Sequence, residues 1–309
     1  MEEQTETEVN QEKPIIKHIV CSGGGLAGFA FYGAIKESHK QGLWQLENIQ
    51  TIYATSVGTI IAVMLALKYD WDTLDDYLIK RPWQNVFTFN LYSILETINN
   101  RGMFGIEIIQ DIFLPLFNGK DIRMDITLLE FYKLTNIEIH MCTTDINSFQ
   151  LIDISHKTHP DWNVIEAIYS SCAVPVLFTP LFKNNECYCD GGLLANYPLE
   201  QSIINGANPN EILGIRYKGS SADECNKRVT HETSLLDYVI SIINRLIGLV
   251  LDKQDANVIA NEYDIWCPSL SIYDLINTTR DSEIRIRLIQ QGIDVVRNKS
   301  LISPPDNME

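Results

Sequence analysis

Three short stretches hold side chains suited to ester or phosphate chemistry: Ser22-Gly23-Gly24-Gly25-Leu26-Ala27-Gly28, Ala54-Thr55-Ser56-Val57-Gly58 and Cys189-Asp190-Gly191-Gly192. In the first, glycines let backbone N–H groups turn toward a ligand and let that ligand come close. A helix starting there leaves its first amides unpaired, with a dipole that favours negative charge. Gly23, Gly24, Gly25, Leu26 and Gly28 are therefore candidates to hold a phosphate or a reaction oxyanion. The second stretch is close to G-x-S-x-G, a sharp strand-to-helix turn that presents a serine. Ala54 and Gly58 are the small residues that let strand and helix approach there, with Ala54 standing where glycine is usual. The third sets an acid, Asp190, before Gly191 and Gly192, where a cleft leaves little steric cover over it.

Each stretch, read by itself, has an ordinary explanation. Ser56 could simply cap a helix, and Asp190-Gly191 could be a plain turn. The glycine pattern also suits a dinucleotide-binding domain. That fold wants an acidic residue about 20 positions on, at the end of the second strand. Here the second strand runs into Tyr53-Ala54-Thr55-Ser56, so the ribose acid is missing. A serine–histidine–acid triad in the order Ser, Asp, His leaves only His231 after Asp190. His18 and His39 precede the serine, His140 reads as a satisfied core residue in a strand, and His156 and His159 read as solvated loop residues.

The elements that must carry these stretches alternate. Residues 15–21 read as a buried strand, 29–41 as a helix, 49–53 as a second strand and 57–68 as an apolar helix. Strand, turn and helix repeated in this way mark a parallel sheet with helices packed on it. Residues 72–136 are mostly helical and aromatic-rich. Strands are expected at 137–143, 149–154 (a return strand), 186–190 and 211–217, with helices at 162–171 and 199–205. The cleanest helical period spans 233–252, with Leu236, Val239, Ile240, Ile243, Leu246, Ile247, Val250 and Leu251 in one stripe. It reads first as a helix laid on the core. A lipid-touching helix is the alternative, and the acids Asp237 and Asp252 on its polar face weaken that reading.

Taken together and in order, the three motifs resemble the patatin-like phospholipase family. Further stretches match it in sequence: Arg101 to Phe104, Thr127 to Asn136, Cys142 to Asn147, Ala167 to Pro180 and Asp190 to Pro198. The resemblance covers roughly residues 15–218. It implies a three-layer α/β/α sandwich around a central, mostly parallel sheet. It also implies a lipid acyl hydrolase of phospholipase A or lysophospholipase type, working through a Ser–Asp dyad with neither cofactor nor metal. Carried over, Ser56 is the nucleophile and Asp190 its base. The amides around Gly24, Gly25 and Leu26 hold the oxyanion. Ala27 stands where the family often has Lys or Arg. With Ala54, it keeps open the alternative of a degenerate, non-catalytic binding or scaffold protein.

Bulk properties fit a globular chain of 309 residues, 45% hydrophobic and 21% charged. A net charge of −16 argues against nucleic acid as a partner and against electrostatic docking on anionic membranes. Peripheral contact with a membrane or lipid droplet is left to apolar surface. Seven cysteines without a secretory leader suggest reduced thiols and a cytoplasmic setting, and the Cys187, Cys189 spacing is not that of a zinc site. Residues 1–13 read as a disordered acidic tail, 14–218 as the catalytic core, and 219–309 as a helical extension packed on the same domain.

Overall fold

In the computed structural model, residues 14–88, 99–219, 229–253, 259–267 and 271–302 are described. The expected tail at residues 1–13 lies outside them. The strands are β1 (His18–Cys21), β2 (Thr51–Thr55), β3 (Gly102–Phe104), β4 (Glu138–Asp145), β5 (Gln150–Ile154), β6 (Val176–Phe178), β7 (Leu181–Lys183), β8 (Glu186–Asp190), β9 (Ile212–Gly219) and β10 (Asn261–Cys267). The helices are α1 (Gly28–Lys40), α2 (Val57–Ala66), α3 (Trp71–Lys80), α4 (Glu107–Asn118), α5 (Leu128–Thr135), α6 (Val164–Cys172), α7 (Gly192–Ala195), α8 (Leu199–Ile204), α9 (Leu235–Lys253), α10 (Ile272–Arg280) and α11 (Ser282–Ile302).

The main sheet runs in the order β10-β9-β1-β2-β4-β8-β7, with β5 also paired to β4. Every pair from β10 to β4 is parallel, and β5, β8 and β7 are antiparallel to their neighbours. Strands β3 and β6 form a separate parallel pair. The central strands are apolar without a break because both faces are covered. Ile19, Cys21, Ile52 and Ala54 belong to the large core on one face, while Val20 and Tyr53 alternate into a smaller core on the other. Helices α1, α2 and α4 supply the large core, and Tyr197, Leu199 and Ile259 close the small one. This is a mostly parallel central sheet with helices on both sides.

Local chemistry sets the helix ends. Thr127 and Glu130 form a reciprocal capping box at the start of α5, and Asn163 caps α6 through the Ile165 amide. Beyond residue 218 the expectation of helices omits a strand. In β10, Tyr263, Ile265 and Cys267 turn inward, and each residue from Asn261 to Cys267 pairs with β9. The period-2 alternation is present in the sequence, but the segment is short and Trp266 interrupts the polar positions Glu262 and Asp264. The last helix, α11, packs along α1, where Arg297 pairs with Glu37 at 2.8 Å. Its buried Arg285 donates to the Ile79 and Thr278 carbonyls at 2.6 and 2.7 Å. Those carbonyls lie in the last turns of α3 and α10, which otherwise lack partners. Arg285 thereby fixes α10 against the rest of the fold.

Candidate active site

The site is assembled on strand β4. Its residues 138–142 pair with β2 in parallel, ending at Thr55 opposite Cys142. Residues 143–145 pair with β8 in antiparallel fashion, starting at Asp190 opposite Thr143. Because β5 pairs with 141–145 on the other edge, β2 and β8 share one edge of β4. They meet head-on, and the residues that follow Thr55 and the last residue of β8 come together. Thr143 and Thr144 hold this junction by donating to the Cys189 and Asp190 carbonyls at 2.8 and 3.0 Å. Gly191 is seated directly on the Cys142 carbonyl. Gly192 begins α7, close to Asn196.

Ser56 sits at the turn between β2 and α2 with φ 53° and ψ −128°. A non-glycine residue at positive φ is strained by on the order of 1 to 3 kcal/mol and persists only where its surroundings hold it. Here the Ser56 amide donates to Ser171 Oγ at 2.9 Å, and Ser171 in turn donates to the Cys142 carbonyl. Gly58 lies against the Cys21 and Ser22 carbonyls, and Ala54 is fully buried in β2. The Ser56 side chain makes no capping hydrogen bond, so the turn serves something other than a helix cap.

Asp190 is buried. Its Oδ1 accepts from the Gly192 amide at 2.7 Å, while Oδ2 has no full hydrogen bond among the described residues. Burial pushes the carboxyl up to about 6, and the neighbouring Ser56 hydroxyl and the Gly192 amide pull it back down. The same burial, with the Asp190 charge beside it, raises the Cys172 thiol, so this cysteine stays protonated under the serine.

The glycine-rich stretch crosses above. Gly25 adopts φ 54°, a conformation that suits glycine, and opens the single 3-10 turn Gly25–Ala27 ahead of α1. The Gly23 amide already donates to the Asn196 carbonyl at 2.8 Å, which removes it from the donors a ligand could use. Gly24, Gly25 and Leu26 lead the turn, where amides lack partners within the helix. Gly28 packs against Val57, so α1 and α2 start side by side. Ala27 is buried.

Sequence reasoning missed the residue that ties these pieces together. Asn196 Nδ2 donates to Ser22 Oγ at 3.2 Å and to the Gly23 carbonyl at 3.1 Å, and its side chain lies beside Gly23 and Gly192. A lone buried asparagine carries no spacing signal. Ser171 was likewise unmarked. None of the six histidines contacts Ser56. His140 is held between Glu138 and Asp153, His18 meets Thr51, His39 meets Trp71, His156 stacks on Tyr132, His159 meets Thr158, and His231 is exposed.

Ser56 opens onto an apolar pocket of about 150 Å³. The pocket follows α2 from Ser56 through Ile60 and Ile61 to Met64, roughly 12 Å at helical rise. Gly25 and Leu26 line it beside the serine, and Leu275 and Trp83 face it from α10 and from the turn after α3. The chain beyond the three motifs thus supplies one wall.

A family model described as patatin-like phospholipase matches residues 19–203. The chain is 24% identical over 255 residues to uncharacterized protein R571 of Acanthamoeba polyphaga mimivirus, covering 82% of this chain and 81% of that one. It is 28% identical over 190 residues to a protein named probable lipid hydrolase 463L of Invertebrate iridescent virus 6, covering 60% and 63%. Among solved structures, VipD from Legionella pneumophila superposes with a TM-score of 0.53 at 18% identity, covering 92% of this chain and 66% of VipD, a likeness of fold.

Proposed function

We propose that this chain, which belongs to the patatin-like phospholipase family, hydrolyses carboxylic esters of lipids, of phospholipase A or lysophospholipase type, through a Ser56–Asp190 dyad. The observation that carries the reading is a strained serine at the lining of an apolar pocket, beside a buried carboxylate whose Oδ2 has no full hydrogen bond among the described residues. The fatty acyl chain lies along α2, with its ester carbonyl over Ser56. Ser56 Oγ attacks the carbonyl carbon while Asp190 Oδ2 takes the hydroxyl proton. The amides of Gly24, Gly25 and Leu26 receive the oxyanion. Collapse of the tetrahedral intermediate breaks the ester C–O bond, and Asp190 returns the proton to the leaving alcohol. A water then attacks the acyl-serine, giving up its proton to Asp190, and the fatty acid leaves with Ser56 restored.

A carboxylate is a weak base for a hydroxyl. The raised Asp190 and the dry pocket narrow that gap, because proton transfer is most effective when the base sits near working pH. Asn196 and Ser171 act as positioning residues for the loop and the elbow. The test is labelling by a fluorophosphonate, followed by phospholipid hydrolysis, for wild type, Ser56→Ala and Asp190→Asn. Labelling and fatty-acid release by wild type alone support the dyad. Failure of the folded wild type on every lipid and on the probe overturns it.

A further inference from the structure

Helix α9 presents a second apolar face that the core does not use. Its inward side is ordinary: Ile240 and Ile243 are buried, and Ile247 packs against the small core. Leu235, Tyr238, Ile242, Leu246 and Leu249 are instead between 41% and 79% exposed. Their spacing of three, four, four and three residues puts them on one arc of roughly 100°, turned well away from the buried side. The helical period places Leu246 in the inward stripe, and the structure turns it out. Asp237, Ser241 and Asn244 fall on a third side by the same helical count. The charged side chain on the exposed arc between Leu235 and Val250 is a cation, Arg245. That is notable for a chain of net charge −16.

The helix is anchored at the candidate site. It packs on α7, which starts two residues after Asp190, and touches β6, whose Leu177 and Phe178 line the acyl pocket. An apolar arc with one tyrosine and one cation suits the boundary between acyl chains and phosphates: the rings and aliphatics enter, and the guanidinium stays with the phosphate oxygens. None of the described helices is long and apolar enough to cross a membrane, so the contact is one of lying on the surface.

We propose that the outer face of α9 docks the protein on a phospholipid surface, setting the pocket mouth against the lipids it draws from. The inference rests on the hydrolase reading for its purpose but not for its test. Ser56→Ala protein, which turns over no lipid, is floated with phosphatidylcholine vesicles and compared with Ser56→Ala carrying Leu246→Glu and Leu249→Glu. The parent should float, and the two charges should weaken its vesicle partitioning on the order of 100-fold. Arg245→Glu should weaken it several-fold. In the Ser56 background, the Leu246→Glu, Leu249→Glu protein should keep hydrolysis of a soluble short-chain ester and lose that of vesicle phospholipid, which rules out misfolding. A parent that does not float, or charged variants that float equally well, overturns the proposal. So does a dimer in solution that these charges dissolve, since the face would then belong to a second copy. Loss of ester hydrolysis by wild type with flotation intact would overturn the proposed activity and leave the docking face standing.

Discussion

The two ends of strand β4 hold buried acids in opposite conditions. At its start, His140 lies between Glu138 and Asp153, with ring nitrogens 2.9 and 2.8 Å from carboxylate oxygens. Lys157 reaches Glu138 at 2.8 Å, and Tyr53 stacks on the imidazole with centroids 4.1 Å apart. Each acid there has a polar partner: the imidazole for Glu138 and Asp153, and Lys157 as well for Glu138. At the other end, Asp190 has, among the described residues, one amide and no cation, and one of its oxygens lacks a full hydrogen bond. A satisfied buried charge supports the fold, whereas an unsatisfied one raises the energy of its own ionised form and gains reactivity. The strand thus separates a fully partnered acid cluster from the acid of the proposed dyad.

The largest contrast should appear on mutation of the reactive end. Ser56→Ala and Asp190→Asn should each lower ester hydrolysis by about 10³-fold or more, measured as fatty-acid release per folded protein. At the structural end, His140→Ala should cost about 2 kcal/mol by taking a hydrogen-bond partner from both Glu138 and Asp153, while fluorophosphonate labelling of the folded fraction stays near wild type. Equal loss of labelling in both cases would erase the distinction. Chemical denaturation and gel-based labelling measure the two quantities separately.

A pH series sharpens it further. Asp190 must be ionised to act as base, so kcat/KM should rise through about pH 6 to a plateau and stand about tenfold lower at pH 5. The stability effect has the opposite sign. A folded-state value raised from 3.8 to about 6 means the native form binds the proton more tightly. That stabilisation is complete below about pH 4 and is lost as pH rises through about 6, roughly 3 kcal/mol in all. Asp190→Asn should therefore melt above wild type at pH 8 and match it near pH 4. The smallest effect is expected at Asn196. Asn196→Ala should slow labelling about fivefold by freeing the glycine-rich turn, with Ser22 losing a partner.

The three motifs and the core strands were legible because their signals are local: glycine runs, a serine turn, and apolar stretches bounded by turn residues. The expected strand at 186–190 matches β8 residue for residue. What could not be read was how these pieces meet. The shared edge of β4 depends on pairings between residues far apart in sequence, and nothing near Ser56 or Asp190 encodes them. The clamp residues Asn196 and Ser171 are single polar side chains whose role exists only after the chain has closed. Strand β10 was readable in principle from Tyr263, Ile265 and Cys267, yet its alternation lies beside helices with stronger periods. The three-sided character of α9 was hidden for a related reason. A sequence stripe counts apolar positions and says nothing about which of them the core reaches.

The meeting of β2 and β8 on one edge also sets a clock. Thr55 donates to the Ala195 carbonyl across 140 residues of chain, and the Ser22 amide waits for Ile215. A nascent chain that has made the serine turn is still inert until β8 and β9 have emerged and found their places. A slip of β8 by a single position would turn Asp190 to the far side of the sheet. In refolding, fluorophosphonate labelling should accordingly lag behind the far-ultraviolet signal of the helices, because the pairing that completes the site is among the longest-range steps. Labelling that kept pace with helix formation would contradict this order. Under the proposed mechanism, then, a half-made copy has no dyad, because Ser56 and Asp190 meet only in the finished fold.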